Sequence, residues 1–157
     1  MTNTPTEVVS SFIASIERRD AAAAVAHLSS QCEYDNVPIG KVHGKVAVLD
    51  ILEPLLGSCL TVEWPVLRSA AEGNLVFNER LDRFEMAHGW VELEVAGMFE
   101  VTDGEISLWR DYFDLATFQN QLPGSCGRCP DTGCNSERTT SSKEIRCRVA
   151  WTAWLPS

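Results

Sequence analysis

No run of apolar residues in this 157-residue chain approaches the roughly 18 that a membrane-spanning helix needs, so a membrane partner is not expected. Basic residues are scarce: 13 Lys and Arg stand against 22 Asp and Glu, for a net charge of −9. An acidic chain matches phosphate backbones poorly, which argues against nucleic acid as a partner. There is no Gly-x-Ser-x-Gly elbow, which disfavours the covalent-ester chemistry of serine hydrolases. There is no Gly-rich phosphate loop either. The three histidines, His27, His43 and His88, form no metal-ligand spacing and read as surface or structural groups. The segment Met1–Thr6 is polar and lacks the basic-then-apolar order of a secretory signal. The expectation is a soluble, cytoplasmic protein.

What is present is an ordinary globular balance, with 45% hydrophobic and 22% charged residues and a length suited to one domain with a sizeable core. Composition changes near residue 124. Residues 124–157 carry Arg128, Arg138, Lys143, Arg146 and Arg148 against Asp131, Glu137 and Glu144, so the negative charge belongs to the body before them. Cysteine follows the same split. Cys32 and Cys59 stand alone in the body, whereas Cys126, Cys129, Cys134 and Cys147 crowd into the tail. Four thiolates can make a tetrahedral zinc site, but only the first half of this set has knuckle spacing. The polar stretch Ser136–Lys143 has little to bury. The expectation is a flexible extension over 124–157 without metal, appended to a domain over 5–123.

Helical periodicity opens the body. Val8, Val9, Phe12, Ile13 and Ile16 make one apolar stripe, with Thr6 as the expected N-cap. A second helix is expected after Asp20, to about Leu28. A third runs from Gly44 or Lys45 to about Leu56, with Val46, Leu49, Leu52 and Leu56 as its expected buried face. After Gly57 the period falls to two. Strands are expected over Leu60–Arg68, where Pro65 marks an edge or a bulge, and over Leu75–Met86, Trp90–Val101 and Glu105–Asp114. Asp103-Gly104 is a hairpin signal, and a short helix over Ala116–Gln121 closes the body. Helices followed by a meander predict an α+β fold, with helices packed on one face of a bent sheet.

Period two also exposes the chemistry. In Leu75–Met86 one face holds Val76, Asn78, Arg80, Asp82, Phe84 and Met86, which sets Arg80 and Asp82 among apolar neighbours. In the last strand Asp111 falls between Trp109 and Phe113. An extended Glu33–Asn36 puts Tyr34 and Asn36 on one face. These groups make either a structural ion cluster or an acid–base site. An arginine can hold two carboxylates together, and an apolar wall can keep one of them protonated.

The body resembles the limonene-1,2-epoxide hydrolase family, within the cone-shaped folds shared with nuclear transport factor 2 and ketosteroid isomerase. The resemblance rests on Tyr34-Asp35-Asn36, on Glu79-Arg80-Leu81-Asp82, and on Gly97–Ile106 leading into Trp109-Arg110-Asp111-Tyr112-Phe113-Asp114. It implies a highly curved, mixed, largely antiparallel sheet around a deep pocket, and a homodimer. It implies one-step hydrolysis of an apolar epoxide by water to a vicinal diol, without cofactor or metal. Asp111 would be the general base, Tyr34 and Asn36 would hold the water, Asp82 would be the general acid, and Arg80 would orient both aspartates. Arg110, next to Asp111, points to the opposite face and is expected in a structural ion pair, with Asp114 as one partner. Two alternatives stay open on the same fold: an isomerase or cyclase acting on an apolar carbonyl substrate, and a non-catalytic ligand-binding module.

Overall fold

The computed structural model describes residues 3–122. Helix α1 (Pro5–Glu17) starts two residues earlier than Thr6 would place it. Thr4 is the cap because Glu7 follows it by three: the Thr4 hydroxyl accepts from Glu7 N–H, and the Glu7 carboxylate accepts from Thr4 N–H at 2.7 Å. Pro5, at the first helical position, needs no partner for a missing N–H. The apolar stripe Val8, Val9, Phe12, Ile13 and Ile16 is buried as its spacing requires. Helix α2 (Ala21–Ala26) is capped by Asp20.

Helix α3 (Lys45–Ser58) corrects the expected face. Val48, Leu52, Leu55 and Leu56 are buried, Leu49 is half-buried and Val46 is 71% exposed. The segment is apolar nearly all round, so its spacing fixes a helix without fixing which stripe turns inward.

Seven strands form one sheet: β1 (Leu28–Asn36), β2 (Gly40–His43), β3 (Thr61–Glu63), β4 (Val66–Glu72), β5 (Leu75–Met86), β6 (Gly89–Thr102) and β7 (Glu105–Tyr112). The order is β2-β1-β7-β6-β5-β3, with β4 also on β5. All pairs are antiparallel except β1 with β7. The single strand expected over Leu60–Arg68 is instead two, separated at Trp64-Pro65, because proline cannot donate to a ladder. Asp103 and Gly104 both take positive φ, 53° and 81°, the conformation of a tight two-residue hairpin turn. Helix α4 (Leu115–Asn120) is capped by Asp114, whose carboxylate accepts from Thr117 N–H at 2.8 Å.

The core lies between α1–α3 and the inner face of the sheet, where Val91, Leu93, Val95, Phe99 and Val101 of β6 are buried in strict alternation with exposed or half-buried neighbours. Among the described residues, no helix is long and apolar enough to cross a membrane. The expectations for residues 124–157, including their cysteines, lie outside the described residues.

Candidate active site

Register brings the polar groups together. The ladders pair Asn36 with Asp111, Asp111 with Gly97, and Gly97 with Asn78, so one row crosses four strands, from β1 through β7 and β6 to β5. Arg80 and Asp82 follow Asn78 on the inner face of β5 at period two. The side chain of Arg80 is fully buried. Its Nε donates to Asp82 Oδ1 at 2.7 Å, and its Nη2 donates to Asp82 Oδ2 at 3.2 Å and to Asp111 Oδ2 at 2.7 Å. Nη1 donates to Asn78 Oδ1 at 3.1 Å. The guanidinium carbon sits 4.7 Å from the ring centre of Trp64, within cation–π range.

Asp111 is engaged on one oxygen only. Oδ2 accepts from Arg80 and also from Trp109 Nε1 at 2.9 Å, while Oδ1 is buried without a partner in the protein. Asn36 is similar. Its Nδ2 donates to Tyr34 OH at 2.8 Å, and its Oδ1 is buried and unpartnered. Tyr34 stacks on Trp109 with ring centres 3.8 Å apart, and Phe12 packs edge-on against the same indole at 4.9 Å. The phenol and the Asp111 carboxylate are therefore fixed by one aromatic column.

Two buried carboxylates share one positive charge, so one negative charge lacks compensation. Burial pushes the Asp82 carboxyl up from 3.8 to about 7; Arg80 opposes the shift and Asp111 adds to it. Burial works against the charge of Arg80, but Asp111 and Asp82 more than offset it and hold its pKa above the ordinary value. Burial, reinforced by the charge of Asp111, raises Tyr34 well above a normal phenol, so it stays protonated.

Tyr34, Asn36 and Asp82 line a pocket whose other walls include Trp64, Phe84, Leu93, Val95, Phe113 and Phe118. The arrangement supplies a carboxyl that can give a proton, a carboxylate oxygen that can take one, and an apolar surround.

Arg110 does point away from Asp111, but its partner is not Asp114. It donates to Asp35 Oδ2 at 2.7 Å and lies 3.4 Å from Glu33 on the neighbouring β1. Parallel pairing sets Asp35 opposite Arg110, whereas Asp114 is occupied in capping α4. Among the described residues, no group of His, Cys, Asp and Glu is arranged to hold a metal ion. Two polar contributors were not singled out from sequence. Asn78 was legible as a neighbour of Arg80 on its face. The indole N–H of Trp109 gives no signal in a strand pattern.

Residues 3–123 match the model of the limonene-1,2-epoxide hydrolase catalytic domain. The chain belongs to the limonene-1,2-epoxide hydrolase family. It is 33% identical to the epoxide hydrolase EphG of Mycobacterium tuberculosis over 107 residues, which span 68% of this chain and 71% of that protein. The structure of a limonene-1,2-epoxide-hydrolase-like epoxide hydrolase from M. tuberculosis superposes with a TM-score of 0.68 at 31% identity, covering 74% of this chain and 87% of that one. Fold alone is shared more widely. An NTF2-like protein of unknown function from Cytophaga hutchinsonii gives a TM-score of 0.60 at 21% identity, covering 73% and 93% of the two chains. A SnoaL-like polyketide cyclase candidate from Shewanella putrefaciens gives 0.68 at 13%, covering 75% and 95%. The curved, mostly antiparallel sheet with helices on one face is thus the NTF2-like cone expected of the limonene-1,2-epoxide hydrolase family.

Proposed function

We propose that the chain is a cofactor-independent epoxide hydrolase that adds water to an apolar, terpene-like or cyclic epoxide in one step. The observation that carries this reading is the single guanidinium bonded to two buried carboxylates, one of which, Asp82, lines an apolar pocket together with Tyr34 and Asn36. Asn36 Oδ1 and Asp111 Oδ1, on paired residues of β1 and β7, are both acceptors without a protein partner. A water between them donates one hydrogen to each and turns a lone pair toward the pocket, with Tyr34 holding the Asn36 amide in place.

In the reaction, the water oxygen bonds to an epoxide carbon while that carbon's bond to the ring oxygen breaks. Asp111 Oδ1 takes the water proton, and protonated Asp82 gives its proton to the departing oxygen. The product is a vicinal diol. The cycle closes when Asp111 loses a proton and Asp82 regains one. Arg80 steadies the negative charge as it passes from one carboxylate to the other.

The cyclase candidate among the fold neighbours favours one second reading: the same two carboxylates could move a proton on a carbonyl substrate without consuming water. A panel of terpene and cyclic epoxides incubated in ¹⁸O-water separates the two. A diol carrying one heavy oxygen supports hydrolysis; no diol from any epoxide, together with isomerisation of an unsaturated cyclic ketone, supports the second reading.

A homodimer belongs to the same proposal. The outer sheet face exposes Phe77 and Tyr112 beside half-buried Met98, in the rows Phe77–Met98 and Ala96–Tyr112, and an apolar sheet face of this kind suits a second copy. Light scattering at micromolar concentration reads the mass directly; a monomer would reject it.

A further inference from the structure

The three corners of the Arg80 guanidinium have different partners, and only two of them belong to the acid–base pair. The third, Nη1, donates to the amide oxygen of Asn78. Asn78 is itself buried, and it pairs across the ladder with Gly97, which pairs in turn with Asp111. A Cβ at position 97 would lie 2.2 Å from Arg80 Nη1 and 2.6 Å from Asn78 Oδ1. Gly97 does not have the positive φ that fixes glycine at Gly104, so its lack of a side chain is a matter of space. The Trp64 and Phe99 ring centres lie 4.7 and 6.0 Å from the guanidinium carbon, which limits how far Arg80 can move aside.

We infer that Asn78 and Gly97 are positioning residues for the acid–base pair: Gly97 opens the space into which the Arg80 guanidinium folds, and the Asn78 amide oxygen fixes its third corner so that the other two face Asp82 and Asp111. The inference rests on the reading of the site as an epoxide hydrolase. Asn78 does not line the pocket. It acts through Arg80, by stopping the planar fork from turning about its own axis. A turned fork would bond one aspartate well and the other poorly, and the acid and the base would lose their shared register.

The test is Asn78→Leu, which keeps the branched shape at a somewhat larger volume and removes the acceptor, compared with the parent and with Gly97→Ala. Kinetics on a turned-over epoxide should show kcat falling about 10- to 100-fold with KM within about twofold, since misplacement of reacting groups affects the chemical step more than binding. The second readout does not depend on activity. In ¹⁵N-arginine spectra of the full chain, Arg80 Nη1–H signals should be sharp and slow to exchange in the parent, and broadened or lost in Asn78→Leu. Gly97→Ala should produce the same spectral change if it folds. Asn78→Leu with parent-level kcat, or with unchanged Arg80 Nη1–H signals, overturns the inference. A parent chain that opens no epoxide overturns the proposed reaction instead, and the spectra then decide on their own whether Asn78 holds the guanidinium.

Discussion

Asp82 and Asp111 share one nitrogen: Arg80 Nη2 lies 3.2 Å from Oδ2 of the first and 2.7 Å from Oδ2 of the second. The two carboxylates come from strands that do not pair with each other; β6 lies between them. Burial of such a set is costly unless every charge is bonded, and removing one member leaves the others exposed to the full penalty.

Asp111→Asn should nearly abolish diol formation and leave the fold intact. The amide keeps an acceptor for Arg80 and Trp109 but cannot take a proton from water. General-base catalysis is typically worth about 10²–10⁴-fold, and a loss of that size in kcat is expected. Activity within twofold of the parent in a folded variant would remove Asp111 from this role.

Asp82→Asn should lose a similar factor on unactivated epoxides, because an amide is a far weaker acid. Epoxides bearing electron-withdrawing groups have a better leaving oxygen and need the proton less, so the loss on them should be much smaller. Equal losses on both classes would contradict the acid role.

The raised Asp82 carboxyl couples activity and stability to pH in the same direction. The acid must be protonated, so kcat/KM should fall as pH rises through about 7. For stability, the folded pKa of about 7 lies above the ordinary 3.8. The protonated form is the one the fold favours, so its contribution is complete below about pH 4 and is lost as pH rises through about 7. Urea midpoints at pH 5 and pH 8 check this. The drop between them should be clear in the parent and much reduced in Asp82→Asn; identical drops would show that Asp82 does not titrate in this window.

A chain stopped after Gly124 should remain folded and active. The Arg80 network and the pocket wall both lie within residues 3–122. Circular dichroism and a diol assay on the shortened chain decide it; insoluble or inactive material would show that the segment beyond Gly124 contributes to the site or to stability.

The sequence was most legible where local periodicity is strict. The inner faces of β5 and β6 follow from alternation alone, because a half-buried strand has period two and both runs obey it for ten residues or more. That alternation alone places Arg80 and Asp82 on one buried face. Phase was harder in α3, whose apolar residues surround the axis, so Val46 was expected inside and is exposed. The second half of β4, Ser69 to Glu72, was missed because small and polar residues on a fully exposed strand carry no hydrophobic pattern. Pairing of distant segments was not legible at all. The adjacency of Asn36 to Asp111 depends on β1 lying parallel to β7, which no local period encodes, and the same pairing gives Arg110 to Asp35 instead of Asp114.

The central claim is that water attacks the epoxide directly, activated by Asp111, with no oxygen passing through the protein. Single-turnover hydrolysis in ¹⁸O-water, with enzyme in excess over epoxide, tests it in one step. Direct attack predicts that the diol of the first turnover already carries one heavy oxygen and that Asp111 stays unlabelled. A first-turnover diol without the label, with heavy oxygen appearing in a carboxylate of the chain, would contradict the account.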